Sequence, residues 1–228
     1  MRREKERRSS LFNLLSAVLF LLALSGPDAQ ACYSGLIIIP TADVTGPLAW
    51  ALDIQWQGYS TAFRTDQLIV NTEWGIGDRF EMGLDVDATD GSVDHRALFN
   101  AKYVLLRSDP QHLAVAVGLQ NMNQSFDSYP YVVATKDWGI LRTHAGIQHE
   151  EGNRNRWFVG VDRTVGEHWQ LMADHTAGSE SYSSAGIGWC GASWQVMVGG
   201  QWPNAGGSSI VVVHVVLTGS FKTKARGT

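Results

Sequence analysis

Beyond residue 31 the sequence has no apolar run approaching the roughly 18 residues a membrane-crossing helix needs. A helical span in the mature chain is therefore excluded. Cysteine is scarce: only Cys32 and Cys190 are present, with no paired spacing, and the seven histidines are scattered without an H-E-x-x-H pattern. No metal site and no cofactor are expected. Proline is sparse at six residues, whereas glycine reaches 24. The Gly75-Ile76-Gly77 and Gly186-Ile187-Gly188 repeats are not phosphate loops, because neither opens a helix. Glycine at such places suits turns and close strand packing.

Residues 1–31 read as a secretory signal peptide. MRREKERR is a charged leader, residues 11–24 form a short apolar stretch, and Ala29-Gln30-Ala31 is a small-x-small cleavage site. Cleavage there would make Cys32 the first mature residue. A lipid-attachment box wants a branched aliphatic residue three places earlier, where Ala29 stands, so lipidation is the minor alternative. Losing five basic and three acidic residues moves the formal charge from −4 to −6. An acidic mature chain of this kind offers nothing to nucleic acid.

What the mature chain does have is alternation. In residues 79–89, Phe80, Met82, Leu84, Val86 and Ala88 share one parity, while Glu81, Gly83, Asp85 and Asp87 share the other. Successive strand residues point to opposite faces, so this is an amphipathic strand. Eleven further stretches behave alike: 48–57, 67–74, 96–106, 111–120, 129–136, 140–148, 156–163, 168–176, 181–190, 193–201 and 209–221. Residues 32–47 precede them as an entry or edge segment, because Pro40 cannot donate to a ladder. The connections alternate between longer polar loops and short turns containing Gly, Asp or Pro.

This pattern predicts an all-β fold: a closed antiparallel transmembrane β-barrel of about twelve strands over 48–221, with a tail at 222–228. Short turns would lie in the periplasm and longer loops outside. Aromatics at the strand ends form two girdles, with Trp74, Phe80, Trp169, Trp189 and Trp194 near the short turns and Trp56, Trp157 and Trp202 near the long loops. The alternative with the same alternation is a soluble periplasmic sandwich or lipocalin-like binding barrel, its apolar face turned inward.

Residues 211, 213, 215, 217 and 221 alternate back from a near-terminal Phe221. Strand layout, signal peptide and this terminal Phe resemble Gram-negative outer-membrane barrel proteins over nearly the whole mature chain. The resemblance implies Phe221 as an assembly signal read by the barrel assembly machinery, and outer-membrane lipid as the surroundings. Gly35-Leu36-Ile37-Ile38-Ile39-Pro40-Thr41-Ala42-Asp43 also resembles the Pro-Thr-Ala opening of YjbH-like proteins, which implies a link to exopolysaccharide export.

Parity assigns the lumen an ionisable set of Asp53, Glu73, Glu81, Asp85, Asp87, Asp162 and Asp174 against Lys102, Lys136 and Arg142. Seven acids against three bases make a cation-leaning interior. Porin-like passage of small solutes or small cations is one expectation, and a structural or export role with polysaccharide is the other. Phe158, Met172 and Met197 share the lumen parity and could narrow it, and whether 32–45 plugs it is open. Cys32 and Cys190 would lie on one oxidising side and could pair. A lipid-modifying hydrolase is the enzyme alternative, resting on His175 and Ser179, but no orienting third residue is evident, so no catalytic activity is expected.

Overall fold

The computed structural model describes residues 35–59, 64–89, 97–109, 112–123, 128–150 and 154–221, with backbone alone at 64–66. Among these residues twelve strands run in order: β1 (Ala49–Tyr59), β2 (Arg64–Ile76), β3 (Phe80–Asp87), β4 (Ala97–Ser108), β5 (Leu113–Met122), β6 (Tyr129–Asp137), β7 (Arg142–Glu150), β8 (Arg154–Val165), β9 (Trp169–Thr176), β10 (Tyr182–Cys190), β11 (Trp194–Pro203) and β12 (Ile210–Ser220). Each strand pairs antiparallel with its sequence neighbours, and β1 pairs with β12 from Ala49↔Ser220 to Tyr59↔Ile210. The sheet therefore closes, and closure leaves no edge with unpaired backbone groups. The signal peptide, the tail at 222–228 and Cys32 lie outside the described residues.

The two faces of the wall are inverted relative to a water-soluble barrel. Asp53 is 1% exposed, His144 1% and Gln195 2%, whereas Val159 is 42% exposed, Leu171 46% and Ile147 52%. Polar and charged side chains are thus buried inside, beside an apolar cluster, while the outer face is largely aliphatic and aromatic. A soluble sandwich or lipocalin-like barrel would show the reverse, because burying apolar area drives its folding. All nine tryptophans stand on the outward parity or, for Trp138, in a turn.

Strand ends differ from expectation in physically readable ways. β1, β2, β7 and β8 run further toward the loop end, since the polar residues there still satisfy the ladder: Glu150 pairs with Arg154 and Tyr59 with Arg64. β4 carries a register shift between Val104 and Leu106. A bulge adds one residue to one strand and re-aims the side chains beyond it. Leu105 and Leu106 are accordingly both exposed, and Arg107 turns to the mouth of the barrel.

Residues 35–47 do not lie along an edge. They enter the barrel from the short-turn end, next to the start of β1, and fold back on themselves inside it. Gly35 bridges to Pro40, and the Leu36 amide donates to the Ile39 carbonyl at 3.0 Å. Leu36, Ile37, Ile39 and Ala42 are 0–3% exposed and form one cluster with Val104, Ala116, Tyr131, Val133, Phe158, Met172, Met197 and Val212. The barrel's apolar core is thus built around its own N-terminal segment. Glycine makes the room: a Cβ at Gly160 would stand 2.6 Å from both Ile39 Cδ1 and Leu36 Cδ1, and one at Gly186 would stand 2.9 Å from Ile37 Cδ1.

Candidate functional site in the barrel interior

The inserted segment is fixed to the wall through its backbone. Asp174 Oδ2 accepts from the Ile37 and Ile38 amides at 2.9 and 3.2 Å, and Thr135 Oγ1 accepts from the Ala42 amide at 2.9 Å. Glu81 Oε2 accepts from the Thr45 amide at 2.6 Å and from its hydroxyl at 2.8 Å. Lys102 Nζ donates to the Asp43 carbonyl at 2.8 Å while pairing with Glu81 Oε1 at 3.0 Å. Arg142 reaches Asp43 at 2.8 Å and Asp162 at 3.1 Å. A segment without a strand of its own must have its backbone groups answered by the wall, and these side chains do so.

The interior consequently has two unlike halves. Around β6–β11 the ionisable groups are absorbed in pairs and networks. Asp162 lies 2.7 Å from His144 Nε2 and accepts from Gln170 at 3.0 Å, and Gln195 donates to Gln170 at 3.1 Å. Along β1–β5, residues Asp43 and Thr45 are tied to Lys102 and Glu81, while residues 35–40 border open space. A cavity of about 260 Å³ remains there, lined by Glu73, Glu81, Asp85, Lys102 and Tyr131 among others. A second cavity of about 400 Å³ opens toward the loop end, with Gln67, Asp87, Asn121 and Tyr129 in its wall. Gln55, Asn71 and Asp85 border both. The most acidic of the amphipathic strands, β3, therefore faces the remaining space.

Of the expected lumen residues, Asp53, Glu73, Glu81, Asp85, Asp87, Lys102, Arg142, Asp162 and Asp174 sit on inward positions of their strands. Asp85 accepts from Asn100 at 2.7 Å, Asp87 from the Thr89 amide at 2.9 Å, and Thr45 Oγ1 stands 3.3 Å from Glu73. Lys136 is a correction. On β6 it is Tyr131, Val133 and Thr135 that are buried, so Lys136 has the outward parity, and its ammonium lies 5.2 Å from the Trp138 ring centroid. Arg156, 8% exposed and paired with Glu150 and Glu180, is an interior base that parity with Phe158 could have revealed. His144 and His214 are likewise interior, and His214 Nδ1 lies 2.8 Å from Asp53 Oδ2.

The outward aromatics occupy both rims. Trp157, Trp169 and Trp202 are 48–52% exposed, Trp74 37% and Trp194 36%. Trp56 and Phe80 share that outward face, half-buried. Trp189 stacks on Trp194 at 4.5 Å and on His168 at 4.9 Å. Phe221 is 57% exposed, and its amide donates to the Leu48 carbonyl at 2.8 Å across the closure. Cys190 faces inward at the short-turn end, with Gln170 Oε1 4.0 Å from its sulfur.

The surface hollow at His175 brings together His175, Ser183 and Asn204. The serine that meets His175 is Ser183, at 2.8 Å, rather than Ser179. Both amide hydrogens of Asn204 are taken by the Thr176 and Gly178 carbonyls at 2.8 Å, which turns Asn204 Oδ1 toward Ser183 at 3.1 Å. Ser183 thus donates its proton to the amide oxygen, and His175 Nδ1 must donate in turn. A nucleophile needs the imidazole as acceptor. Among the described residues no group of three or more His, Cys, Asp or Glu is gathered for a metal.

No protein-family model matches this chain, and no curated protein matches it. Among solved structures, a KdgM porin superposes at TM-score 0.56 with 12% identity, over 75% of this chain and 99% of that one. A KdgM porin in complex with disordered oligogalacturonate superposes at 0.54, again with 12% identity over 75% and 99% of the two chains. The likeness is one of fold: this chain is a closed barrel of twelve antiparallel strands, as its strand pairing and the superposition on that barrel agree.

Proposed function

We propose that the protein is a non-enzymatic outer-membrane barrel that passes small solutes through the crevice between its inserted N-terminal segment and the β1–β5 wall. The inverted wall carries this reading, with aliphatic side chains outside a closed barrel and charged ones within. Only a solvent that is itself apolar makes that arrangement favourable. Polymer export is the weaker reading, because the segment fills the lumen and leaves cavities of about 260 and 400 Å³. Acidic saccharides such as the oligogalacturonate of the KdgM complex would also meet Glu73, Asp85 and Asp87, which repel anions.

Two measurements test this. The mature chain reconstituted in a planar bilayer should give discrete, small, cation-leaning conductance steps, and persistently silent bilayers would remove passage. Val159→Arg places a charge on the outward face in mid-strand. It should cost about 2–4 kcal/mol in urea titrations of the lipid-embedded barrel. A barrel standing in water would tolerate the arginine to within about 0.5 kcal/mol.

A further inference from the structure

Gln55, Asn71 and Asp85 stand on three adjacent strands and are shared by the two cavities, so they form the neck between them. Their hydrogen bonds leave oxygen at the neck. Asn71 is 8% exposed, and its Nδ2 donates to Asp53 Oδ2 at 3.4 Å. That bond turns the amide so that Oδ1 is its other end, and Oδ1 is buried with no partner. An amide oxygen buried unpaired is costly, so a partner, water or ligand, is expected there. Asp85 gives one oxygen to Asn100 and keeps the second. Behind them Asp53 is 1% exposed, with Oδ1 also unpartnered. The lysine that lines the first cavity, Lys102, is already committed to Glu81 and the Asp43 carbonyl.

We propose that this neck binds a small hard cation, with the Asn71 carbonyl, the Asp85 carboxylate and the Gln55 carbonyl as protein ligands and Asp53 positioning Asn71. Such cations take oxygen ligands from carboxylates, amide carbonyls and water, and the adjoining cavities have room for the waters. The three donors come from rigid neighbouring strands, and the set excludes soft metals, which want sulfur or imidazole. The site deepens the passage reading, because a cation held here would sit on the route and disfavour anions.

Calcium is the probe. Titrated calorimetrically into the lipid-free mature barrel in detergent, it should show one saturable site with a dissociation constant of about 0.1–1 mM, as for oxygen sites open to water. Asp85→Asn should weaken binding at least tenfold, since its amide still accepts from Asn100 but carries no charge. Asn71→Asp should tighten it, and Asn71→Leu should abolish it. If Asn71→Leu folds poorly, Asp85→Asn and Asn71→Asp carry the comparison. No saturable heat at millimolar calcium, or equal affinities in wild type and Asp85→Asn, would overturn the site. The two readings separate cleanly: calcium binding without conductance removes passage and keeps the site, while conductance without calcium binding removes the site alone.

Discussion

Deleting residues 35–45 should raise the single-channel conductance several-fold while leaving the barrel in the membrane. The segment supplies Leu36, Ile37, Ile39 and Ala42 to the interior cluster, and no strand ladder depends on it. Its loss leaves the twelve-strand hydrogen-bond network intact and opens the lumen, since a barrel of this strand number can enclose a channel. Asp174, Thr135 and Glu81 would turn from the lost amides to water. Gly160→Leu is the complementary variant. It keeps the segment in the chain but places atoms where Leu36 and Ile39 now pack. It should displace the segment and move conductance in the same direction by a smaller factor. Unchanged conductance in both variants would show that the segment does not occlude the lumen.

Glu81→Ala should destabilise the barrel by about 3–5 kcal/mol, because it takes the paired carboxylate from a buried ammonium. Glu81 and Lys102 are 5% and 6% exposed, 3.0 Å apart, and they jointly hold the Thr45 amide and the Asp43 carbonyl. The double variant Glu81→Leu/Lys102→Met should recover most of the loss, since replacing both members of a buried pair with apolar side chains is often neutral. Urea titration of the lipid-embedded barrel, read by tryptophan fluorescence, measures both. A single-variant loss under about 1 kcal/mol would mean that the cavity hydrates the lysine and that the pair does not clamp the segment.

The wall is legible in the sequence because period-two alternation reports directly on which side of a sheet a residue faces. β3 shows this best, with Glu81, Asp85 and Asp87 inward and Met82 and Leu84 outward. Lys136 escapes such a reading because β6, TyrProTyrValValAlaThrLysAsp, is apolar on both parities and offers no polar face to count from. The register shift at Val104–Leu106, one of two in the β4–β5 ladder, is equally hidden, since Val104, Leu105 and Leu106 are interchangeable to a hydropathy pattern.

The inserted segment is the least visible feature. Four apolar residues before a proline read as an edge, and their true partners are remote: the Ile37 amide meets Asp174 across 137 residues. Acids that parity alone counts as open lumen charge are therefore partly spent on backbone amides. The field that remains is concentrated on β1–β5.

The aliphatic face of the barrel meets lipid in this account, and the nine tryptophans report on it directly because all lie on the outward parity or in a turn. The measurement is tryptophan quenching of the refolded mature chain in vesicles, with bromine placed at successive acyl-chain depths and iodide in the aqueous phase. A lipid-facing wall predicts strong quenching by bromine near the head groups, where the two rims would lie, with weak access for iodide. Efficient iodide quenching with no response to brominated lipid at any depth would contradict it.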